Sequence, residues 1–288
     1  MATDVIETKQ DAWTRAFEQL QQTAAGKDPG WLHHVRQEAF ARFRELGFPT
    51  VDDEEWRFTN PAPIAATSFR PAGPAPEAAT TEALKHGLFP SAAGTTLVFV
   101  NGRWARERST LRAHPDGVIV GSLGAAIKDL SSLVEPHLAR YAGYERHAFT
   151  ALNTAFAQDG AFVYLPRGAE VSAPIQILHL SAPGAEPTFT HPRTLIVAER
   201  GARATVVETF AGDGVYLVNA VTEIAVGENA AVEHVKVQRD GVRAFHVGTL
   251  HGHLKRDARL RSLHFAFGGR ISRTDLVTVL DGEGSEAQ

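Results

Sequence analysis

Apolar residues at Trp13, Ala16, Phe17 and Leu20 recur at three- and four-residue spacing, and Val35, Ala39, Phe43 and Leu46 repeat the pattern. This spacing predicts two amphipathic helices, the second capped by Asp28, begun at Pro29 and stopped by Gly47. A Pro/Ala-rich stretch follows and predicts a connector with little regular structure over 61–94. The run at 95–100 then meets Asn101 and Gly102, a hairpin signal because a type I′ turn needs positive φ at both central residues. Residues 117–122 read as another strand, and helical spacing returns with Phe149, Leu152 and Phe156.

After Gly160 the pattern turns to short strands and stays so. Turn residues recur at Gly168, Gly201, Asn229, Asp257 and Gly284, in steps of 33, 28, 28 and 27 residues. A near-fixed period with Gly, Asn or Asp at the turn predicts stacked coils, because each coil buries its apolar side only against the next. The alternation over 231–237 predicts one buried and one wet side. The expected fold is therefore mainly β behind an N-terminal α region: a parallel β-helix, incomplete at its C-terminal end, with a cupin-like jelly roll as structural rival. The expected divisions are a helical region at 1–60, the connector at 61–94, a mixed α/β region at 95–159 and the β-helix at 160–288.

Composition narrows the chemistry. With 29 basic and 33 acidic residues, the chain gives no electrostatic case for nucleic-acid binding. No cysteine is present, which removes disulfides, thiolate nucleophiles and Cys metal sites from these residues and fits a cytoplasmic protein. No apolar run approaches the roughly 18 residues of a membrane span. Phosphate-loop, dinucleotide, zinc-protease and nucleophile-elbow signatures are all missing, so a non-catalytic scaffold is expected.

Histidines are the remaining candidates. His179, His234, His246, His251, His253 and His264 fall in predicted strands. His251 and His253 lie two apart and share one side of a strand, a geometry suited to a metal ion, with His246 or His264 in support. Exposed or core-satisfied histidines are the stronger reading, and no metal site is assigned. The acidic run 52–55 reads as a solvated turn or helix start. Arg270, Arg273 and Asp275 sit in a polar insert, read as an ion pair fixing a turn and less readily as a recognition loop.

Four ordered motifs resemble one family. E-E-W-R-F-T-N at 54–60 carries Glu55, Trp56 and Arg57; F-V-N-G-R-W at 99–104 carries Asn101 and Gly102; L-N-T-A-F-A-Q-D-G at 152–160 carries Asn153, Asp159 and Gly160. The block from 270 to 287 carries Arg273, Asp275 and Gly282. Together they resemble the SufB/SufD family of the SUF iron-sulfur cluster assembly system, and the first motif points to its SufD branch. The resemblance implies a right-handed β-helix, pairing with a SufB-like subunit, and a SufC-like ATPase that drives rearrangement of the pair. It implies that a cluster is assembled by the complex, with room for a flavin there, and no cofactor held by this chain itself.

Family members continue past Gly282 with further coils, an interface histidine and helices that hold the ATPase. These 288 residues alone are therefore expected not to recruit SufC, and no cluster-assembly residue is carried over. Two other readings stay open at this level. One is a cupin-type metal protein using His251 and His253; the other is a structural solenoid that associates through its open end.

Overall fold

The computed structural model describes residues 2–24, 28–75, 81, 84, 87, 94–182 and 184–288. Helix α1 (Ala2–Ala24) and helix α2 (Gly30–Leu46) form the predicted opening pair. Helix α2 starts one residue later than expected, with Pro29 in the capping position. Asp28 instead faces the buried Arg36 at 3.5 Å, and that guanidinium also donates to Ala157 O at 2.7 Å. Gly47 closes the helix at φ +66°, where a side chain would be strained.

Residues 61–75 are more regular than their composition suggests. Pro61 primes a short helix α3 (Ala62–Ala66), and strand β1 (Arg70–Pro71) pairs in parallel with β7 (Thr188–Thr190). Proline at a helix start and on an edge strand gives up only backbone donors that have no partner there. Most of 76–93 lies outside the described residues.

Strand β2 (Thr96–Val100) and β3 (Arg103–Trp104) form the hairpin, turning at Asn101 and Gly102 with φ +50° and +74°. Strand β4 (Ile119–Ser122) leads into three short helices, α4 (Leu123–Asp129), α5 (Ser131–Val134) and α6 (Ala148–Phe156). Ser122 caps α4 by accepting from Ala125 N.

From β5 (Ala161–Leu165) onward the chain winds as a parallel solenoid. One wall holds β8 (Arg193–Ala198), β10 (Tyr216–Val226), β12 (Phe245–Leu254) and β14 (Ile271–Leu280). The facing wall holds β6 (Glu170–Ser181), β9 (Arg203–Gly212), β11 (Ala231–Asp240), β13 (Arg259–Ala266) and β15 (Glu286–Ala287). Neighbouring coils pair in parallel, which rules out the antiparallel jelly roll. The "polar insert" around Arg273 is strand β14, in register with β12 along its whole length.

The five turn residues that set the period all have positive φ, between +56° and +72°. Each turn passes its amide to the next: Gly168 N to Arg200 O, Gly201 N to Glu228 O, Asn229 N to Arg256 O and Asp257 N to Glu283 O. Ala202, Ala230 and Ala258 follow these turns and are buried at the inner corner. There they join Ile196, Val206, Ile224, Val232, Leu250 and Leu260 in an apolar seam along the axis.

The helices cover the outer face of the first wall. Trp13 stacks on Phe189 at 4.5 Å, Phe17 on Phe40 at 4.0 Å and Trp56 on Phe149 at 5.1 Å. Each fully buried ring of this kind adds roughly 1.5–3 kcal/mol of burial energy. No described helix is long and apolar enough to cross a membrane.

Candidate functional site

Away from the apolar seam, the space between the two walls is polar. Its centre is Glu208 on β9, wholly buried. Thr194 and Thr222 on the opposite wall donate to its two oxygens at 2.6 and 2.9 Å. His234 Nε2 on β11 lies 3.2 Å from Oε2. His179 Nε2 on β6 lies 3.4 Å from Oε1, without hydrogen-bond geometry, and its ring is stacked between Phe99 and Phe210. Burial alone would push the Glu208 carboxyl up, but the flanking imidazoles hold it well below the carboxylate range.

Lys236 follows Glu208 in register on the next coil, and His264 follows Lys236. The Lys236 ammonium sits 5.0 Å over the Phe210 ring and donates to Thr274 Oγ1 at 3.3 Å. Burial pulls it down to about 8 against the attraction of Glu208 and Asp240. Gly248 makes room for it, since a Cβ there would stand 2.2 Å from Nζ.

Beside it, Asp240 accepts from Tyr216 Oη at 2.7 Å, Gln238 Nε2 at 2.9 Å and His246 Nδ1 at 2.9 Å. Those partners outweigh burial and keep Asp240 ionised. Burial keeps His246 neutral, and its Nε2 has no partner.

The alternation over 231–237 is real, but its buried side carries His234 and Lys236 as well as Val232. Polar residues are tolerated inside because they meet a carboxylate on the adjacent coil and hydroxyls across the gap. Glu208 and Asp240 were not read as site residues from sequence. The available signal was a polar position recurring in phase at 208, 236 and 264, one 28-residue step apart.

The histidines of the weaker, metal-binding reading do not converge. His251 and His253 do share the outer face of β12, but His246 lies five residues before His251 and so faces inward, while His264 belongs to the other wall. His253 approaches Asp281 at 3.4 Å and Tyr141 at 5.2 Å between ring centroids. Among the described residues, no three His, Asp or Glu side chains are placed to hold a metal ion. His251 instead lines an open cleft of about 820 Å³ with Glu55, Trp56, His147 and Asp275. His191, also missed, is sealed among Trp13, Phe156 and Phe189, and burial lowers it to about 3.

The motif residues converge as structural latches. Arg273 grips Asp275 through two bonds of 3.0 and 2.6 Å, donates to Glu55 O at 2.7 Å and lies 4.3 Å over the Trp56 ring. It thereby ties the segment after α2 to β14, more than two hundred residues later. Arg57 and the exposed Phe58 stack on each other outside this contact. Asn101 grips Ala182 and Gly73. Asn153 donates to Pro192 O and Asn219 O. Asp159 accepts from Ser122 Oγ, Gly124 N and Trp104 N. Gly282 passes so close to Arg256 N that a Cβ would stand 2.3 Å away.

Two expected results follow from this geometry. Arg273→Ala should cost about 1–2 kcal/mol and make residues 50–60 a preferred site of limited proteolysis; unchanged cleavage there would count against the latch. Glu208→Gln should cost about 2 kcal/mol at neutral pH, since hydrogen bonds to a charged group are lost. A depressed carboxylate pKa contributes stability above its unfolded value, near the ordinary 4.5, and loses it as pH falls through the lower folded value. Urea midpoints of wild type and Glu208→Gln should therefore begin to approach each other below about pH 4.5 and meet only once pH has fallen through the lower folded value.

Residues 7–177 match the family model described as SufBD protein N-terminal region, and residues 180–288 match SUF system FeS cluster assembly, SufBD core domain. The chain is 29% identical, over an alignment of 297 residues, to an iron-sulfur cluster assembly SufBD family protein of Synechocystis sp., covering 99% of this chain and 64% of that protein. It is 27% identical over 218 residues to the iron-sulfur cluster assembly protein SufD of Bacillus subtilis, covering 72% of this chain and 48% of that one. With SufD of Escherichia coli it shares 24% over 253 residues, covering 86% of this chain and 56% of that one. The chain thus spans between about half and two thirds of the length of these relatives.

Proposed function

Because the chain belongs to the SufBD family of iron-sulfur cluster assembly proteins, we propose that it serves as a SufD-like scaffold subunit, pairing with a SufB-type subunit and acting with a SufC-type ATPase. What supports this reading most is the latch: residues of the 54–60 motif and of the 270–287 block meet in space, so the family's separated motifs build one joint between helical region and solenoid. The role is structural and not catalytic. These 288 residues contain no cysteine, so thiolate ligands for a nascent cluster come from outside them. A scaffold contributes by holding partners in register, and a stiff solenoid with a fixed helical cap suits that task.

Co-expression of the tagged protein with the SufB-type and SufC-type subunits of its own source tests this. A stable complex with the SufB-type subunit, and cluster formation in that complex on supply of iron and sulfide, are expected. Failure to associate at micromolar concentrations would overturn the pairing. Association without any contribution to cluster formation would overturn the scaffold role.

A further inference from the structure

The polar interior contains one uninterrupted line of proton donors and acceptors. His264 Nε2 lies 3.0 Å from Ser262 Oγ, Ser262 Oγ lies 3.5 Å from His234 Nδ1, and His234 Nε2 lies 3.2 Å from Glu208 Oε2. The other carboxylate oxygen, Oε1, is 3.4 Å from His179 Nε2. These five side chains stand on β13, β11, β9 and β6, four successive strands of one wall.

Chemistry orients the line. An ionised carboxylate only accepts, so a neutral His234 ring presents Nε2–H to Glu208 and keeps a lone pair at Nδ1. That lone pair takes the Ser262 hydroxyl proton, which leaves the hydroxyl oxygen to accept from His264 Nε2–H. Every donor from His264 inward thus points toward Glu208, the head-to-tail order that proton hopping requires. The surroundings keep the order. Burial lowers His264 to about 4, leaving it neutral with one N–H to give. Thr194 and Thr222 hold both Glu208 oxygens in place. Lys236, the charged neighbour in register with Glu208 and His264, donates to Thr274 and stands outside the line. His179, without a hydrogen bond at either ring nitrogen, stands outside the line as well.

We propose that His264, Ser262 and His234 form a proton relay along the solenoid axis that ends on Glu208. A proton taken up at His264 Nδ1 releases the Nε2 proton to Ser262, whose hydroxyl proton passes to His234 Nδ1. The His234 Nε2 proton crosses to Glu208 Oε2. One proton enters and one arrives on Glu208; both relay imidazoles change tautomer, and the proton leaves by the same line reversed. Sulfide and thiols shed protons when they bind iron, and a relay of this kind gives such protons a path. That use rests on the assembly role proposed above; the relay itself does not.

Two measurements separate the claims. In the protein labelled with 15N-histidine, exchange of the His234 ring N–H with water is expected to slow at least ~10-fold in Ser262→Ala, because the ring would then exchange only by opening of the strand. Ser262→Thr, which keeps the hydroxyl, should restore it, while β11 backbone amides stay unchanged in both variants. Equal ring exchange in wild type and Ser262→Ala overturns the relay, and so does equal slowing of the β11 amides. In the complex with its partner subunits, cluster formation is expected to be about threefold slower in Ser262→Ala, corresponding to less than 1 kcal/mol in the barrier. Unchanged formation overturns the use in assembly. A wild-type complex that forms no cluster counts against the function itself, while the ring exchange still decides the relay.

Discussion

Replacing Glu223 with alanine is expected to destabilise the protein by about 3–5 kcal/mol, the usual cost of stripping one partner from a buried ion pair. Glu223 is wholly buried on β10, and its Oε2 takes Arg193 Nε at 3.1 Å and Nη2 at 2.7 Å. Its remaining capacity holds the backbone amides of Ala139, Tyr141 and Ala142 at 2.9 to 3.0 Å. Arg193 in turn donates to Asn153 and Thr154 on α6. One carboxylate therefore seats both the 139–142 loop and α6 on the solenoid. Without it a buried guanidinium loses its counter-charge and three amides lose their acceptor. A urea titration followed by far-UV circular dichroism should show the loss. The double variant Arg193→Met with Glu223→Leu should recover part of it, because the uncompensated charge is gone; recovery of nothing would place the cost in the loop amides alone.

Gly160→Ala is expected to cost about 3 kcal/mol, as overpacking and backbone strain act together. The residue sits at φ +154° where the chain enters β5, and a Cβ would stand 2.0 Å from Arg193 O. That oxygen belongs to backbone and cannot swing aside. Leu123 N also uses Gly160 O at 2.8 Å, and the preceding Asp159 holds the start of α4. The strain thus falls on the joint between mixed region and first coil. Thermal denaturation should show a much lower midpoint, whereas Gly184→Ala, with nothing within 4 Å of its Cβ, should behave as wild type.

Both positions bear on how far the sequence could be read. Gly160 and Asn153 were visible as motif residues, but their reason was not, because it lies in Arg193 O, Pro192 O and Asn219 O on other coils. The Arg273 latch was half legible. An ion pair was expected there, but as the fastening of a turn; it lies instead along strand β14, and the contact with Trp56 depends on where the helical cap lands. His251 and His253 were correctly placed on one side of a strand, yet the third ligand a metal needs is absent among the described residues. The Glu208 cluster escaped because alternation reports only that two faces differ. It does not say which face is inside when a charged side chain finds a counterpart one coil away.

By itself the sequence determined the solenoid. Turns at Gly168, Gly201, Asn229, Asp257 and Gly284 take positive φ, and that requirement is local, so the period was legible, while the parallel pairing that excludes the jelly roll came from the structure. It also determined the two opening helices, whose apolar spacing is local too. Only the tertiary structure decided what fills the solenoid. Glu208, His234, Ser262 and His264 become a connected line because coils 28 residues apart stack in register, and the opposite wall supplies Thr194 and Thr222. Burying a charge is costly in any one strand, and only the assembled walls supply the partners that offset it.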